Sequence, residues 1–322
     1  MKILVTGGAG YVGSTLVPLL LEAGHSVRVL DSLMHEGDSL LGAWSHHAFE
    51  FIRGDIRDPV AIRQAVADVA ATVHLAAIVG DPACARNPSL ARAVNLDASL
   101  ALLKACKESH IDRFVFASTC SNYGKMEDPT CYVNETSPLH PVSLYAETKV
   151  EVERAILDPI QASELCTTSL RFATVFGVSP RMRFDLTINH FTMEMIRDKH
   201  LVVFGEQFWR PYLHVRDIAR AVLAVIEAPR DKVCGQVFNV GSTEQNYQKQ
   251  QLVEMIRPHA PGASVEYVHK DEDPRDYRVS FEKLADLLGF AAVHSVESGI
   301  ARVAHLVRSG LIDNPKDPKY SN

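Results

Sequence analysis

Two groups of residues in this chain have types and spacings suited to chemistry. The first is the run Gly7-Gly8-Ala9-Gly10-Tyr11-Val12-Gly13, directly behind the apolar triplet Ile3-Leu4-Val5. Glycine permits a tight turn, lets backbone N–H groups approach a pyrophosphate and allows close helix–strand packing. A helix opening at Gly13 turns its positive end toward the same phosphates. Asp31 ends the next apolar run, where a carboxylate accepts hydrogen bonds from the adenosine ribose hydroxyls. A 2′-phosphate there would repel it by about 4 kcal/mol at ~4 Å and an effective dielectric of ~20. Ser32 follows, with no arginine to offset the penalty, so NAD is favoured over NADP. The second group is Tyr145-Ala146-Glu147-Thr148-Lys149, which puts a phenol and an ammonium one helical turn apart on one face. A fixed cation favours the phenolate; lowering a tyrosine from ~10 to ~7 takes about 4 kcal/mol, within reach of Lys149 plus NAD⁺.

Positioning these groups requires a sheet, and the chain supplies its pattern. Strands are predicted over 3–5, 26–30, 49–52, 72–75 and 113–117, alternating with helices over 13–22, 58–69 and 95–107. Such alternation means βαβ units and a parallel sheet. Further strands are expected over 170–175 and 211–215. Asp217 is expected to cap a helix whose Ile218, Ala221, Val222, Val225 and Ile226 recur at helical spacing. A short helix over 282–288 stops at Gly289, and the polar tail 313–322 is expected to be mobile.

The 322 residues are 47% hydrophobic and 22% charged with a formal net charge of −6, which argues against disorder and against nucleic acid as a principal partner. Six cysteines without a CxxC pair fit scattered reduced thiols better than a disulfide framework. No signal-peptide core and no membrane-length apolar run is present, so the expectation is a soluble, cytoplasmic protein without a membrane partner. The 14 histidines include no HExxH-type spacing, and no metal is expected; His46-His47 and His74 read as structural.

Taken together, TGGAGYVG (6–13), Asp31, GDIRD (54–58), HLAA (74–77), Asn95, STCSNYG (118–124), YAETK (145–149) and RPYLHVRD (210–217) form a known order. The chain resembles the extended short-chain dehydrogenase/reductase family, specifically its nucleotide-sugar epimerases and dehydratases. The resemblance implies an α/β fold, a Rossmann-type doubly wound parallel sheet with a smaller, interleaved α/β substrate lobe. Residues 1–175 would bind NAD with a returning strand and helix at about 210–235, while 176–209 and 236–322 would form the substrate lobe. It also implies a cofactor set of Gly7, Gly10, Tyr11, Val12, Gly13, Asp31, Ser32, Asp55, Ile56, Leu75, Ala76, Ala77, Asn95, Tyr145, Lys149 and Val175. Within it Tyr11 and Val12 lie on the pyrophosphate, Asp55 and Ile56 flank the adenine, and Lys149 holds the nicotinamide ribose. Thr119 matches the family's catalytic serine or threonine, bonding the sugar's 4-hydroxyl beside Tyr145. Thr174 stands where many relatives carry asparagine.

By the same resemblance, Arg210 and Arg275 are the guanidinium groups for a substrate diphosphate. Arg181 and Arg183 are weaker candidates, and Asn189 is a nucleotide contact. Trp209 is open to either base stacking or core packing. Family 4,6-dehydratases carry aspartate and glutamate after the threonine; here Cys120 and Ser121 stand there, which argues against dehydration. The Cys120 thiol serves as acid or base only if perturbed, and a packed residue is the favoured reading. The expected reaction is oxidation at C4 of a nucleotide-diphosphate sugar, most simply as a 4-epimerase. Residues 172–189 with DPRDY also resemble 4-dehydrogenases acting on GDP-heptoses, so net oxidation is the alternative; a non-catalytic NAD sensor ranks last because Thr119, Tyr145 and Lys149 are all present. The family commonly dimerises through helices that here carry Leu100, Leu103, Cys106, Val152, Ala155 and Ile156, implying a homodimer.

The Asp31 argument is directly testable. Asp31→Ala should weaken NAD binding while sparing or improving NADP binding, measured by titration calorimetry; parallel losses for the two cofactors would refute it.

Overall fold

A computed structural model describes residues 1–126, 128, 131–158, 165–273 and 275–322. The β-branched runs become strands: β1 (Lys2–Thr6), β2 (Ser26–Asp31), β3 (Phe49–Arg53), β4 (Ala71–His74), β5 (Arg113–Thr119) and β6 (Cys166–Phe172). Then come β7 (Thr174–Phe176), β8 (His200–Phe204), β9 (Trp209–His214), β10 (Gln236–Val240), β11 (Asn246–Gln248) and β12 (Ser264–Val268). The main sheet runs β10-β6-β5-β4-β1-β2-β3, and every pairing in it is parallel. This is the doubly wound order, which reverses beside β1 and leaves a crevice at the strands' carboxyl ends.

Both faces of the sheet are covered, as continuous apolar strands require. On one side the helix Gly13–Glu22 sets Leu16, Val17 and Leu20 against Ile218, Val222, Val225 and Ile226 of the helix Val215–Glu227, all buried. On the other, Leu103 and Cys106 meet Val152 and Ile156 over Phe114 and Phe116. These apolar stripes cover the sheet, and of their largest side chains only Leu100 is exposed. A smaller lobe is built from the sheets β11-β9-β7 and β12-β8 with the helices Thr187–Arg197, Lys249–Ile256 and Val296–Ser309.

Several expectations are corrected. The strand returning to the main sheet is β10, at 236–240; β9 instead pairs with β7 and β11. The run 170–175 is not one strand, because the chain breaks at Ala173 and passes from one sheet to another. The helix over 95–107 begins with a π turn, Ala93–Asp97. His214, not Asp217, caps the helix Val215–Glu227, its ring nitrogen accepting from the Arg216 N–H; fully buried Asp217 accepts from the Val293 and His294 N–H groups. Cys166 and Cys234 form a disulfide: pairing of Gln236 with Thr168 sets a register offset that brings residues 68 apart side by side. The tail is docked, with Phe184 donating to the Tyr320 carbonyl and Arg181 to that of Ser321. No helix among the described residues is long and apolar enough to cross a membrane.

Beneath the crevice, Arg171 on β6 is locked to Glu153, with side-chain exposures of 5% and 3%. Burial costs the guanidinium, and Glu153 more than restores it. Glu153→Ala strands a buried cation and should cost about 3–5 kcal/mol, read as a lowered denaturation midpoint; a loss under about 1 kcal/mol, typical of a surface pair, would contradict this account.

Candidate active site

A cavity of about 800 Å³ runs along the carboxyl ends of the strands, within the ~300–1,000 Å³ common for small-molecule sites. At one end β1 leads into the glycine turn, where Gly7 has φ +74° and an added Cβ would lie 2.7 Å from the Ala76 nitrogen. A Cβ on Gly13 would lie 2.3 Å from the Gly7 oxygen, so the turn closes only with glycine there. Asp31 accepts from the Ala9 N–H at 2.9 Å and the Leu33 N–H at 2.8 Å, stapling the turn to the end of β2 while its carboxylate faces the cavity. Burial raises its pKa against those two bonds. The cradle and the carboxylate fit a dinucleotide: Gly7, Gly10, Tyr11, Val12, Gly13, Asp31, Ser32, Asp55, Ile56, Leu75, Ala76, Ala77 and Val175 all line the cavity. Asp55 is also ion-paired with Arg57 at 2.7 Å.

Thr119, Tyr145 and Lys149 share the next stretch of wall. Thr119 ends β5, and Ser143 caps the helix Leu144–Leu157 that carries the other two. Lys149 donates to the Ala117 carbonyl at 2.8 Å, and its Nζ lies 4.6 Å from the Phe116 ring centre and 5.9 Å from that of Tyr145. Burial pushes the Lys149 ammonium down to about 7. Burial also drives the Tyr145 phenol above its usual range, with Cys84, Asp81 and Tyr277 adding to the rise and Arg183 opposing it. Desolvation dominates both groups, whereas the expected lowering of the tyrosine belongs to Lys149 acting together with NAD⁺. Cys120 lies behind the wall at 1% exposure, donating to the Arg171 carbonyl at 3.2 Å, and burial raises its thiol. It has no access to a substrate, which removes it as an acid or base.

Two expected contacts stand elsewhere. Asn189, 0% exposed, accepts from the Gly177 N–H at 2.9 Å and donates to the Arg183 carbonyl at 2.9 Å and the Tyr11 hydroxyl at 3.1 Å. Asn95, also 0% exposed, accepts from the Ile78 N–H at 2.7 Å and donates to its carbonyl at 2.9 Å. Both shape the loops around the cavity and neither lines it. Their amides are consumed by backbone groups, a role that sequence spacing does not reveal.

At the far end, Arg210 and Arg275 line the cavity as expected, joined by Lys249, which the polar run around it had concealed. Asp273 draws the three together: Arg210 donates to it at 2.8 Å, with Arg275 Nε at 3.7 Å and Lys249 Nζ at 3.9 Å. Burial opposes its ionisation, but Arg210 and its neighbours hold the carboxyl below the usual range. Arg275 donates also to Asp81 at 2.8 Å; Pro274 of the same motif lies outside the described residues. Thr174 lines the cavity, as do Arg181 and Arg183. Trp209 opens β9, with Arg278 over its ring at 4.9 Å, and does not line the cavity. Ser121 and Tyr277 meet across it, their hydroxyls 3.4 Å apart.

The NAD dependent epimerase/dehydratase family matches residues 3–241. A UDP-glucose 4-epimerase of Corynebacterium glutamicum is 30% identical, over 97% of this chain and 97% of its own. Among solved structures, a UDP-glucose 4-epimerase of Thermus thermophilus in complex with NAD superposes with a TM-score of 0.84 at 26% identity, covering 97% of this chain and 100% of that one. A UDP-glucuronic acid 4-epimerase from Bacillus cereus, in complex with UDP-glucuronic acid and NAD, gives 0.85 at 25% identity, covering 96% and 99%.

Lys149 also gives the cleft a pH signature. Its folded pKa of about 7 lies below the ordinary 10.5, so between these values the unfolded chain binds a proton that the folded one does not. Stability of the cofactor-free protein should therefore rise with pH from about 7 toward 10 relative to Lys149→Met. Urea midpoints across that range check this; parallel curves for the two proteins would exclude it.

Proposed function

The chain belongs to the NAD dependent epimerase/dehydratase family, and we propose that it oxidises C4 of a nucleotide-diphosphate sugar with NAD, as a 4-epimerase. One observation carries the reading: Thr119, Tyr145 and Lys149 line one cavity with the glycine cradle on one side and Arg210, Arg275 and Lys249 on the other. That length and order of chemistry suit a dinucleotide meeting a sugar whose diphosphate is anchored away from the reacting carbon. NAD, when bound, supplies the hydride acceptor and, in its oxidised form, a positive charge beside the phenol.

As the phenolate, favoured by the nearby charges of Lys149 and NAD⁺, Tyr145 is then the proton acceptor for the 4-hydroxyl and returns that proton when the 4-keto sugar is reduced on its other face. Thr119 orients the hydroxyl. Lys149, held by the Ala117 carbonyl, fixes the phenol's surroundings and reaches the nicotinamide ribose. Arg210, Arg275 and Lys249 hold the diphosphate, with the two guanidinium groups offering paired N–H donors. Glycosidic freedom beyond that anchor lets the keto sugar turn within the cavity. Relatives that act on UDP-sugars support the substrate class.

Relatives that are 4-epimerases favour epimerisation over net oxidation. Ser321 and Asn322 wall the cavity, and Arg86 donates to the Asn322 carbonyl at 2.9 Å. An epimerase returns the hydride within one binding event, whereas a dehydrogenase must release reduced cofactor at every turnover. UDP-glucose, UDP-glucuronic acid, GDP- and dTDP-sugars incubated with the protein and NAD, followed by product NMR and NADH absorbance, test the reading. A 4-epimer without NADH is expected; accumulating NADH would replace it with net dehydrogenation. Tyr145→Phe should keep NAD binding and lower turnover by about 10²-fold or more, and unchanged turnover would remove the tyrosine from the mechanism.

A further inference from the structure

The cap of the catalytic helix is tied to the diphosphate end of the cavity through one side chain. The Ser143 hydroxyl oxygen accepts from the Ala146 N–H at 3.3 Å, and its proton goes to Asp81 Oδ1 at 2.7 Å. The other oxygen of Asp81 accepts from Arg275 Nη1 at 2.8 Å. Asp81 thus joins three elements: the short helix Asp81–Arg86 beyond β4, the helix carrying Tyr145 and Lys149, and the segment around residue 275 of the smaller lobe. Asp81 and Arg275 both line the cavity, with side-chain exposures of 28% and 41%.

We propose that Asp81 is a positioning residue that passes occupancy of the diphosphate site, through Arg275, to the Ser143 cap and the first turn of the catalytic helix. The inference rests on the reading of Arg275 as a diphosphate ligand. A guanidinium has five N–H donors in a rigid plane, so Arg275 can keep Nη1 on Asp81 while its remaining donors take a phosphate oxygen. An anion on that plane fixes a side chain that is otherwise two-fifths exposed. A fixed Arg275 in turn fixes the Asp81 carboxylate. Asp81 then holds the Ser143 hydroxyl with its lone pair toward the Ala146 N–H, the geometry an N-cap requires. Tyr145 sits in that first turn, immediately before Ala146, so the cap sets where the phenol stands. The sugar's remote diphosphate would thereby order the base that acts at C4, a use of distant binding interactions at the reacting centre.

The test follows amide hydrogen exchange across residues 143–149 in the NAD-saturated full chain, with and without saturating UDP. UDP should slow exchange in this turn by about fivefold or more in the unsubstituted protein, the scale of one serine cap. Asp81→Asn keeps an acceptor for Ser143 but weakens the hold on Arg275. It should still bind UDP, with the UDP-dependent slowing lost. Arg275→Lys, which replaces the rigid fork by a point charge, should lose it too and decides the matter if Asp81→Asn does not fold. A role confined to stability would change exchange equally with and without UDP and would overturn the proposal. So would slowing that survives both substitutions, or no slowing or no UDP binding in the unsubstituted protein. The reaction is judged separately: UDP-dependent slowing without turnover on any nucleotide sugar refutes the epimerase reading and leaves the coupling standing, while turnover without slowing does the reverse.

Discussion

Beside β1 the chain reverses the direction in which it adds strands, going outward to β2 and β3 and then back to β4, β5, β6 and β10. The connections on the two sides of β1 and β4 must lie on opposite faces, so their loops part and leave a crevice. Much of the cavity wall reaches that crevice from strand ends, with Tyr145 and Lys149 added by the helix Leu144–Leu157. The glycine turn follows β1, Asp31 ends β2, Leu75 to Ala77 follow β4, and Thr119 ends β5. Parallel pairing holds these ends level, which is why residues more than a hundred positions apart line one cavity.

The second constraint is electrostatic. Burial disfavours the charged form of both the Lys149 ammonium and the Tyr145 phenol. The cations at the other end are treated differently: Arg210, Arg275 and Lys249 are gathered around Asp273, with Arg275 also on Asp81. Asp273 holds the buried Arg210 guanidinium in place before any ligand arrives. Preorganisation of this kind reduces the entropy lost when an anion binds.

Sequence was most informative where periodicity and physics coincide. Ile218, Ala221, Val222, Val225 and Ile226 recur at helical spacing and are all buried, because one helix face must cover the sheet. The helix from Gly13 to Glu22 and the one from Glu282 to Leu288 fall where glycines and apolar spacing put them. The cavity wall was legible because glycine, tyrosine and lysine are few-purpose residues at such spacings. Illegible were roles created only by folding. Asn95 and Asn189 serve backbone groups of distant loops, and Lys249 sits in a run, Gln248 to Gln251, that reads as solvated. Cys166 and Cys234 meet only because β6 and β10 are neighbours, a pairing that no spacing rule contains. The tail looked mobile by composition, yet Tyr320 packs edge-on against Phe184.

The ties between the lobes differ in kind along the crevice. At the cofactor end they are dry: Tyr11 donates to the Gly177 carbonyl at 2.5 Å, Asn189 donates to Tyr11, and Ser179 bonds Ser14. Tyr11, Asn189, Ser14 and Ser179 are all 6% exposed or less. Breaking such bonds without water costs about 1–3 kcal/mol for each stranded group. At the other end the ties are mixed: Asp81 meets Arg275 as a partly exposed ion pair and the Ser121 and Tyr277 hydroxyls lie 3.4 Å apart, while backbone bonds join Met126 to Asp276 and Val133 to Arg278 and Ser280. Ion pairs of that kind contribute about 0–1 kcal/mol. Backbone bonds hold the segment around residues 276–280 to the larger half, so of the contacts at this end the partly exposed Asp81–Arg275 pair is the one that parts at least cost.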